Sequence, residues 1–212
     1  VGMDVDVYPL PKAKFGAGSV CLGKSTTFTD SSTITSGSIT TRKWDFGDGG
    51  TSTLTNPTHS YTTSGTYTVK LVVTSGYGCF DSATKKVTVY TPPSPAFTST
   101  TSCAGSITMF TDGSKASAGD VLTNWSWNFG DGNNSNTKSP NHKYLTSGLY
   151  KVILTVTSDK GCSDTISHMV NVYYKPTASF TPFNACFGLP NSFTDASSLS
   201  GKDTISSRDW DF

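Results

Sequence analysis

The chain has few charged residues and no long apolar segment. Only 15% of its 212 residues are Asp, Glu, Lys or Arg, and the formal net charge is +1. A nearly neutral chain without a run of basic residues argues against nucleic acid or an anionic membrane as its partner. No apolar stretch approaches the ~18 residues that a membrane-spanning helix needs. Composition therefore argues against nucleic-acid binding and against a membrane span in this segment.

Hydrophobic residues are also scarce, at 34%, whereas serine and threonine make up close to a third of the chain. This composition suits β-strands and turns better than helices. In residues 66–74, Tyr67, Val69, Leu71 and Val73 alternate strictly with other residues. Such alternation is typical of a strand with one buried face. No helical periodicity is visible, and the sequence predicts an all-β fold.

A tryptophan motif recurs at a fixed interval. Residues 44–49 read WDFGDG, residues 127–132 read WNFGDG, and residues 210–212 begin a third copy, each 83 residues after the one before. A period of this length indicates tandem copies of one unit. Trp and Phe alternate with a polar residue, so both are expected on one face of a core strand, and the glycines predict a tight turn after it. A phosphate-binding loop is the weaker alternative because no helix-forming run follows.

Other segments recur in the same register. PTHSY at residues 57–61 matches PNHKY at 140–144, and GTYTVKL at 65–71 matches GLYKVIL at 148–154. The motifs WDFGDG, HxY and GxYxVxL resemble the PKD (polycystic kidney disease) domain over nearly the whole chain. The resemblance implies tandem immunoglobulin-like β-sandwiches with about seven short strands in each repeat. Asn128 departs from the family pattern, which usually has Asp there, and it removes a charge from the second repeat.

The repeat divides the chain into four parts. Residues 1–10 are interpreted as the last strand of a preceding repeat, 11–92 as PKD repeat one, 93–175 as PKD repeat two, and 176–212 as the N-terminal part of a further, truncated repeat. The linkers between the parts contain proline, which favours an extended form. On this interpretation the chain is a window cut from a longer array.

The motif residues have a structural and a metal-binding interpretation. The three Trp residues are predicted to be buried core anchors, and the Asp residues to bond the amides of their own turns. Calcium is the alternative ligand for these carboxylates and stays open, because some PKD relatives bind calcium, although no DxDxDG loop is present. No other cofactor or metal is expected. The core motif comprises Trp44, Phe46, Asp48, Trp127, Phe129, Asp131 and Trp210.

Histidines and further aromatic residues also repeat. His59 and His142 share one repeat position and are interpreted as packing near the Tyr that follows, rather than as metal ligands. Trp125, whose counterpart is Arg42, is interpreted as extra core beside Trp127, with a ligand platform as the alternative. Four tyrosines that bracket a turn predict tyrosine corners, with sugar stacking as the alternative. These are Tyr61, Tyr67, Tyr144 and Tyr150.

Neither a GxSxG nor an HExxH motif is present, so the chain is predicted not to be an enzyme. Three triplets of Asp, then Ser or Thr, then an apolar residue resemble a bacterial O-glycosylation acceptor. They place candidate modification sites at Ser82, Thr165 and Thr204.

The five cysteines are expected to form disulfides, as in proteins outside the cytosol. In a sandwich, Cys21 and Cys103 lie in the turn after the first strand, whereas Cys79 and Cys162 lie in the last turn, roughly 25 Å away. A disulfide needs Cα atoms within about 7 Å. We therefore predict a bridge from Cys21 to Cys162, with Cys79, Cys103 and Cys186 paired outside this segment. Pairing within each repeat is the alternative.

Two functions of different class fit these features. The first is a non-catalytic structural or adhesive segment of a long extracellular PKD array, such as a surface adhesin, stalk or filament. Its cysteines resemble those of PKD arrays in gliding bacteria with type IX secretion. The expected partners are neighbouring repeats, surface polysaccharide and other filament subunits. The alternative is a substrate-binding or spacer module of a secreted polysaccharidase or protease; a eukaryotic receptor ectodomain is a third interpretation.

Overall fold

The computed structural model describes residues 6–201 and 204–211, and all regular elements in them are β-strands. Contacts between Cα atoms divide the chain into two compact units. The first unit comprises Val1–Pro92 together with the short segment Lys160–Cys162. The second comprises Pro93–Asp159 and Ser163–Phe212.

Repeat one forms two sheets. A three-stranded sheet has the order β1-β3-β6, and a five-stranded sheet has the order β2-β8-β7-β4-β5. Strands β2 and β8 run parallel and the other pairs are antiparallel. The strands are β1 (Phe15–Ala17), β2 (Val20–Cys21), β3 (Ser25–Asp30), β4 (Ile39–Asp45), β5 (Thr51–Ser52), β6 (Thr58–Ser60), β7 (Gly65–Ser75) and β8 (Phe80–Tyr90).

The core of repeat one lies on the inner faces of these sheets. Trp44 is fully buried, and its ring meets Phe15 edge-on at a centroid distance of 5.1 Å and Phe28 at 5.7 Å. Strand β7 buries every second side chain, including Val69 and Leu71. The alternation in the sequence therefore corresponds to the two faces of a long central strand.

Repeat two has the same topology, with sheets β14-β11-β9 and β10-β16-β15-β12-β13. Trp127 is fully buried and lies edge-on against Phe97 at 5.1 Å. The expected all-β, immunoglobulin-like architecture is confirmed, and each repeat gains a two-residue parallel strand beyond the expected seven. The strands are β9 (Phe97–Ser99), β10 (Ser102–Cys103), β11 (Ile107–Asp112), β12 (Leu122–Asn128), β13 (Asn134–Ser135), β14 (Asn141–Lys143), β15 (Gly148–Ser158) and β16 (Ser163–Tyr173).

Trp210 is not covered by the described residues, and its role as a buried core anchor stays a prediction. Residues after repeat two form one antiparallel hairpin, β17 (Phe180–Phe183) and β18 (Ser192–Asp195). Trp210 contacts Phe180 and Phe193 from this hairpin, yet 41% of its surface is exposed. The strand of Trp44 is followed in its sheet by β7 and then β8, the strand of Trp127 by β15 and then β16, and residues 176–201 and 204–211 contain no counterpart of these neighbours.

The assignment of residues 1–10 to the last strand of a preceding repeat stays a prediction. Residues 6–10 are in no strand, and residues 1–5 of the proposed strand lie outside the described part. A last strand of this fold pairs with a neighbour of the β7 type, and no described residue provides one for residues 6–10. Tyr8 instead stacks on Tyr77, in the turn between β7 and β8, at a centroid distance of 3.8 Å.

Candidate functional site

The turn after the tryptophan strand is closed by an aspartate and a histidine. The Asp48 carboxylate accepts a bond from the Gly50 amide at 2.9 Å and lies 2.7 Å from Nε2 of His59, on β6. The His59 ring stacks on Phe46 at 4.2 Å and meets Tyr61 edge-on at 4.7 Å. His59 therefore packs near the following Tyr and also holds the turn, a bond that sequence reasoning missed. The available signal was the joint return of the pair as Asp131 and His142.

Repeat two reproduces this turn. Asp131 lies 2.7 Å from Nε2 of His142, and the His142 ring stacks on Phe129 at 4.1 Å. Asn128 accepts a bond from the Gly130 amide at 2.9 Å, as Asp45 does from Gly47. An amide oxygen accepts this bond as a carboxylate does, so the turn does not require the charge that Asn128 lacks.

Electrostatics in the turn favour an ionised carboxylate. Partial burial alone would raise the pKa of Asp48, but hydrogen bonds from His59 and the Gly50 amide outweigh it, and the pKa is lowered from its ordinary value of 3.8. The pKa of Asp131 is lowered against the same burial effect, by His142 and Asn133. Both carboxylates are therefore negatively charged near neutral pH.

The tyrosines are tied to the backbone. The buried Tyr61 hydroxyl donates to the carbonyl of Phe46 at 3.1 Å, and Tyr67 donates to the carbonyl of Thr63 at 2.8 Å. Burial, with the Asp48 charge nearby, raises the pKa of Tyr61 to about 12. Tyr144 and Tyr150 make the matching bonds in repeat two. Buried Tyr61 and Tyr144 have no open ring face on which a sugar could stack.

A second aspartate in each repeat takes a hydrogen bond from the strand that carries the tryptophan. Arg42 Nε donates to Asp30 at 2.6 Å. In repeat two the indole N–H of Trp125 donates to Asp112 at 2.9 Å, while the ring packs beside the core and Lys138 lies 5.5 Å above it. The extra-core interpretation of Trp125 omitted this polar role.

The acidic and histidine residues that the structure describes do not gather into a metal centre. Across the described ranges 6–201 and 204–211, no three side chains of His, Cys, Asp or Glu converge as metal ligands would. Asp30 and Asp112 accept the amides of Ser32 and Ser114, two residues on. Asp48 and Asp131 likewise bond their own turns.

The cysteines lie at opposite ends of one strand in each repeat. Cys21 is opposite Tyr90, the last residue of β8, whereas Cys79 directly precedes its first residue. The 11 residues of β8 rise about 3.3 Å each, so these cysteines are separated by roughly 35 Å, far beyond disulfide distance. Cys103 and Cys162 hold the same positions at the two ends of β16.

A single disulfide is present among the described residues, between Cys21 and Cys162. Their Cα atoms are 5.5 Å apart and their sequence separation is 141. The bond connects a residue of repeat one to the segment Lys160–Cys162, which groups with the first compact unit. Cys79, Cys103 and Cys186 are free thiols, Cys186 being exposed. The predicted partners of these three cysteines lie outside the chain and remain a prediction.

The three candidate glycosylation residues, Ser82, Thr165 and Thr204, are all exposed. Ser82 lies on β8, and Thr165 lies on β16, where its hydroxyl is 2.8 Å from that of Thr155. Asp203, which precedes Thr204, lies outside the described residues. Their modification remains a prediction.

Two sandwiches with buried tryptophans, hydrogen-bonded glycine turns and tyrosines tied to backbone define an immunoglobulin-like class of module. A family model described as the PKD domain matches residues 8–89 and again 90–172. The chain therefore belongs to the PKD domain family, and the resemblance seen in its motifs is confirmed at that level.

Similar proteins include two bacterial collagenases, of which the matching stretches are a short part. A microbial collagenase of Vibrio alginolyticus is 46% identical over 69 residues, which cover 32% of this chain and 8% of that protein. Collagenase ColA of Bacillus cereus is 47% identical over 57 residues, 27% of this chain and 6% of that protein. The chain thus spans less than a tenth of the length of these relatives.

A solved structure, the PKD1 domain of the metalloprotease PrtV from Vibrio cholerae, is 36% identical and aligns with a TM-score of 0.35. The match covers 39% of this chain and 98% of that domain. Within residues 6–201 and 204–211 there is no helix with the length and apolar character needed to cross a membrane.

Proposed function

We propose that the chain is a non-catalytic structural and adhesive segment of a long extracellular array of PKD repeats. The observation that carries the proposal is the disulfide between Cys21 and Cys162. Each half of this bond has a free counterpart in the other repeat, Cys103 for Cys21 and Cys79 for Cys162. If further repeats carry the same cysteines, the same bond can form at every junction.

The extracellular location follows from the same bond. Structural disulfides persist in oxidising compartments and are rare in the cytosol. The finer assignment, a surface adhesin of the kind that gliding bacteria export by type IX secretion, rests on the resemblance of the cysteine-bearing repeats. Surface polysaccharide and other filament subunits are the partners that this assignment implies. Exposed Ser82, Thr165 and Thr204 would carry O-linked glycans in such a protein.

Surface labelling of the native source cells tests this function. An antibody raised against residues 11–175 should stain intact cells, and protease treatment of those cells should remove the signal. Intact-mass analysis of the shaved peptides would show added hexose mass on peptides containing Ser82 or Thr165 if they are glycosylated. Detection of the repeats only in the medium, on a polypeptide with a hydrolase domain, would contradict the adhesive assignment.

Disulfide mapping tests the array. The native protein, alkylated before digestion without reductant, should yield a Cys21–Cys162 peptide pair, and Cys103 should be linked to a cysteine of a following repeat. A Cys21–Cys79 or Cys103–Cys162 pair would contradict an array with a disulfide at each junction, because each of these pairs would join the two ends of a single strand.

A second candidate function has its own observation. The identity of 46% and 47% to stretches of two collagenases favours a substrate-binding or spacer module of a secreted protease or polysaccharidase. Sedimentation of the chain with insoluble collagen, chitin or cellulose tests it. Saturable binding to one polymer would favour this function, and its absence on all three would favour the structural one. Tyr77→Ala is the informative variant, because Tyr77 is exposed and aromatic.

A further inference from the structure

We propose that the disulfide removes residues 22–161 from the covalent path that carries tension between the two ends of the chain. The inference rests on the proposed array function, in which the ends of the segment are pulled apart. It follows from the connectivity of the Cys21–Cys162 bond and from the position of each cysteine on its strand.

Tension applied to the N-terminal side passes through β1 and β2 and reaches Cys21. There it crosses the disulfide to Cys162 and continues toward the C-terminus through β16. The tryptophan anchors of both repeats, Trp44 and Trp127, lie on the bypassed segment. Most of both cores therefore lies off the covalent load path while the bond is intact, and only Phe15 of the first core and Val170 and Val172 of the second lie on it.

Strand β16 is suited to carry the load. Tension enters at Cys162, directly before its first residue, and leaves at its last residue, Tyr173. A strand rises about 3.3 Å per residue, against a maximum of about 3.3–3.6 Å for a fully extended chain, so the strand has almost no slack. Because force enters and leaves along the same strand, it does not pull β16 away from β15, its antiparallel partner. Repeat two can transmit tension without losing a strand.

The bypassed segment is long. With a sequence separation of 141 and about 3.3–3.6 Å per extended residue, it would add roughly 470–510 Å to the chain if it were released. Early lengthening of the oxidised chain is limited to residues before Cys21 and after Tyr173. Reduction of one bond would therefore convert a short, stiff connection into a long, extensible one.

Single-molecule stretching of the full chain by its two ends tests the inference. The oxidised chain is held at a constant load that unfolds β-sandwich domains, and a phosphine reductant is then added. We expect the bond to break first and separate unfolding steps to follow, one for each repeat, since both cores were intact under load. A smooth lengthening to the full contour without such steps would overturn the proposal, because the cores would already have unfolded.

Matched variants complete the test. Cys79→Ser removes a thiol that is not in the bond and should leave the behaviour of the oxidised chain unchanged. Cys21→Ser should show the two unfolding steps without reductant. Equal responses of these two variants would also overturn the proposal. Surface labelling of cells tests the adhesive function, and stretching tests the path of the tension. Either proposal can therefore fail while the other holds.

Discussion

Trp125 donates its indole N–H to Asp112 at 2.9 Å, at the position where Arg42 of repeat one donates its guanidinium to Asp30 at 2.6 Å. A neutral ring and a cation thus serve the same carboxylate in two copies of one fold. The position requires a hydrogen-bond donor that reaches the aspartate, and this donor can be neutral or positively charged.

Trp125→Arg should therefore be tolerated better than Trp125→Phe. Arginine restores a donor to Asp112, so we expect the free energy of unfolding to stay within about 1 kcal/mol of the parent. Phenylalanine leaves the carboxylate without this bond and should cost about 1–2 kcal/mol. Urea unfolding followed by fluorescence measures both, and an arginine variant less stable than the phenylalanine variant would contradict the interpretation.

The tryptophans of the repeated motif should differ in their contributions to stability. Trp44→Ala and Trp127→Ala each empty a fully buried site and should cost ~3–5 kcal/mol. In this 212-residue chain Trp210→Ala should cost less than about 1 kcal/mol, because the side chain is 41% exposed and residue 210 lies in no strand. Thermal unfolding of the three variants, compared in the same chain, checks the order. Equal losses at all three positions would show that Trp210 is packed as tightly as the others.

Three glycines of repeat one, two in the turn after Trp44 and one on β1, form a graded series. A Cβ on Gly47, where φ is 82°, would lie 2.7 Å from the backbone oxygen of Thr68, so Gly47→Ala meets both a steric clash and backbone strain. Gly49→Ala meets strain alone, at about 1–2 kcal/mol. Gly16→Ala, in open space without positive φ, should be nearly neutral. Chemical denaturation should rank the losses in that order, and any other order would show that the turn can relax around the new side chain.

Acid should weaken both repeats through their turn aspartates. The pKa of Asp48 is lower in the folded chain than its ordinary value of 3.8. Its contribution to the free energy of unfolding is therefore fully present above pH 3.8. The contribution is lost as the pH falls below about 4 and through the folded-state pKa. Asp131, whose pKa is also lowered, should behave alike.

Unfolding measured between about pH 5 and pH 2.5 tests this dependence. Asp48→Asn should lower stability at pH 5 and flatten its decline toward pH 2.5, because the variant has no carboxylate to protonate there. Asp131→Asn offers an independent copy of the measurement in repeat two. A decline as steep as that of the parent in both variants would place the acid sensitivity elsewhere.

Local patterns predicted the parts of the fold that depend on neighbours in sequence. Alternation located β7, and the fixed register of Trp44 and Trp127 located the two cores, because one face of a strand must be buried. The same register does not show whether Trp210 is covered, since burial also depends on neighbouring strands, and residues 176–201 and 204–211 contain none of the β7 or β8 type. Burial is a property of the assembled sandwich, and a motif alone cannot supply it.

Polar pairs were harder to predict than core residues. Asp48 and His59 stand on opposite sides of a turn, and their bond depends on how β6 returns beside the motif. The alternation of Trp125 with Trp127 predicts a core residue and misses the bond to Asp112, because alternation reports the direction of a side chain and not the use of its N–H group. Comparing the two repeats position by position supplies the missing signal, since partners change or persist together.

The Cys21–Cys162 bond also keeps the two ends of the chain connected after a backbone cleavage between the two cysteines. Residues 31–38, between β3 and β4, form a largely exposed loop inside the bypassed segment, where an extracellular protease could cut. A cut there, or anywhere else between the two cysteines, leaves both fragments joined through the sulfur atoms and the outer ends still connected. Cleavage within residues 22–161 would then leave the ends connected. Only cleavage outside this segment would separate them.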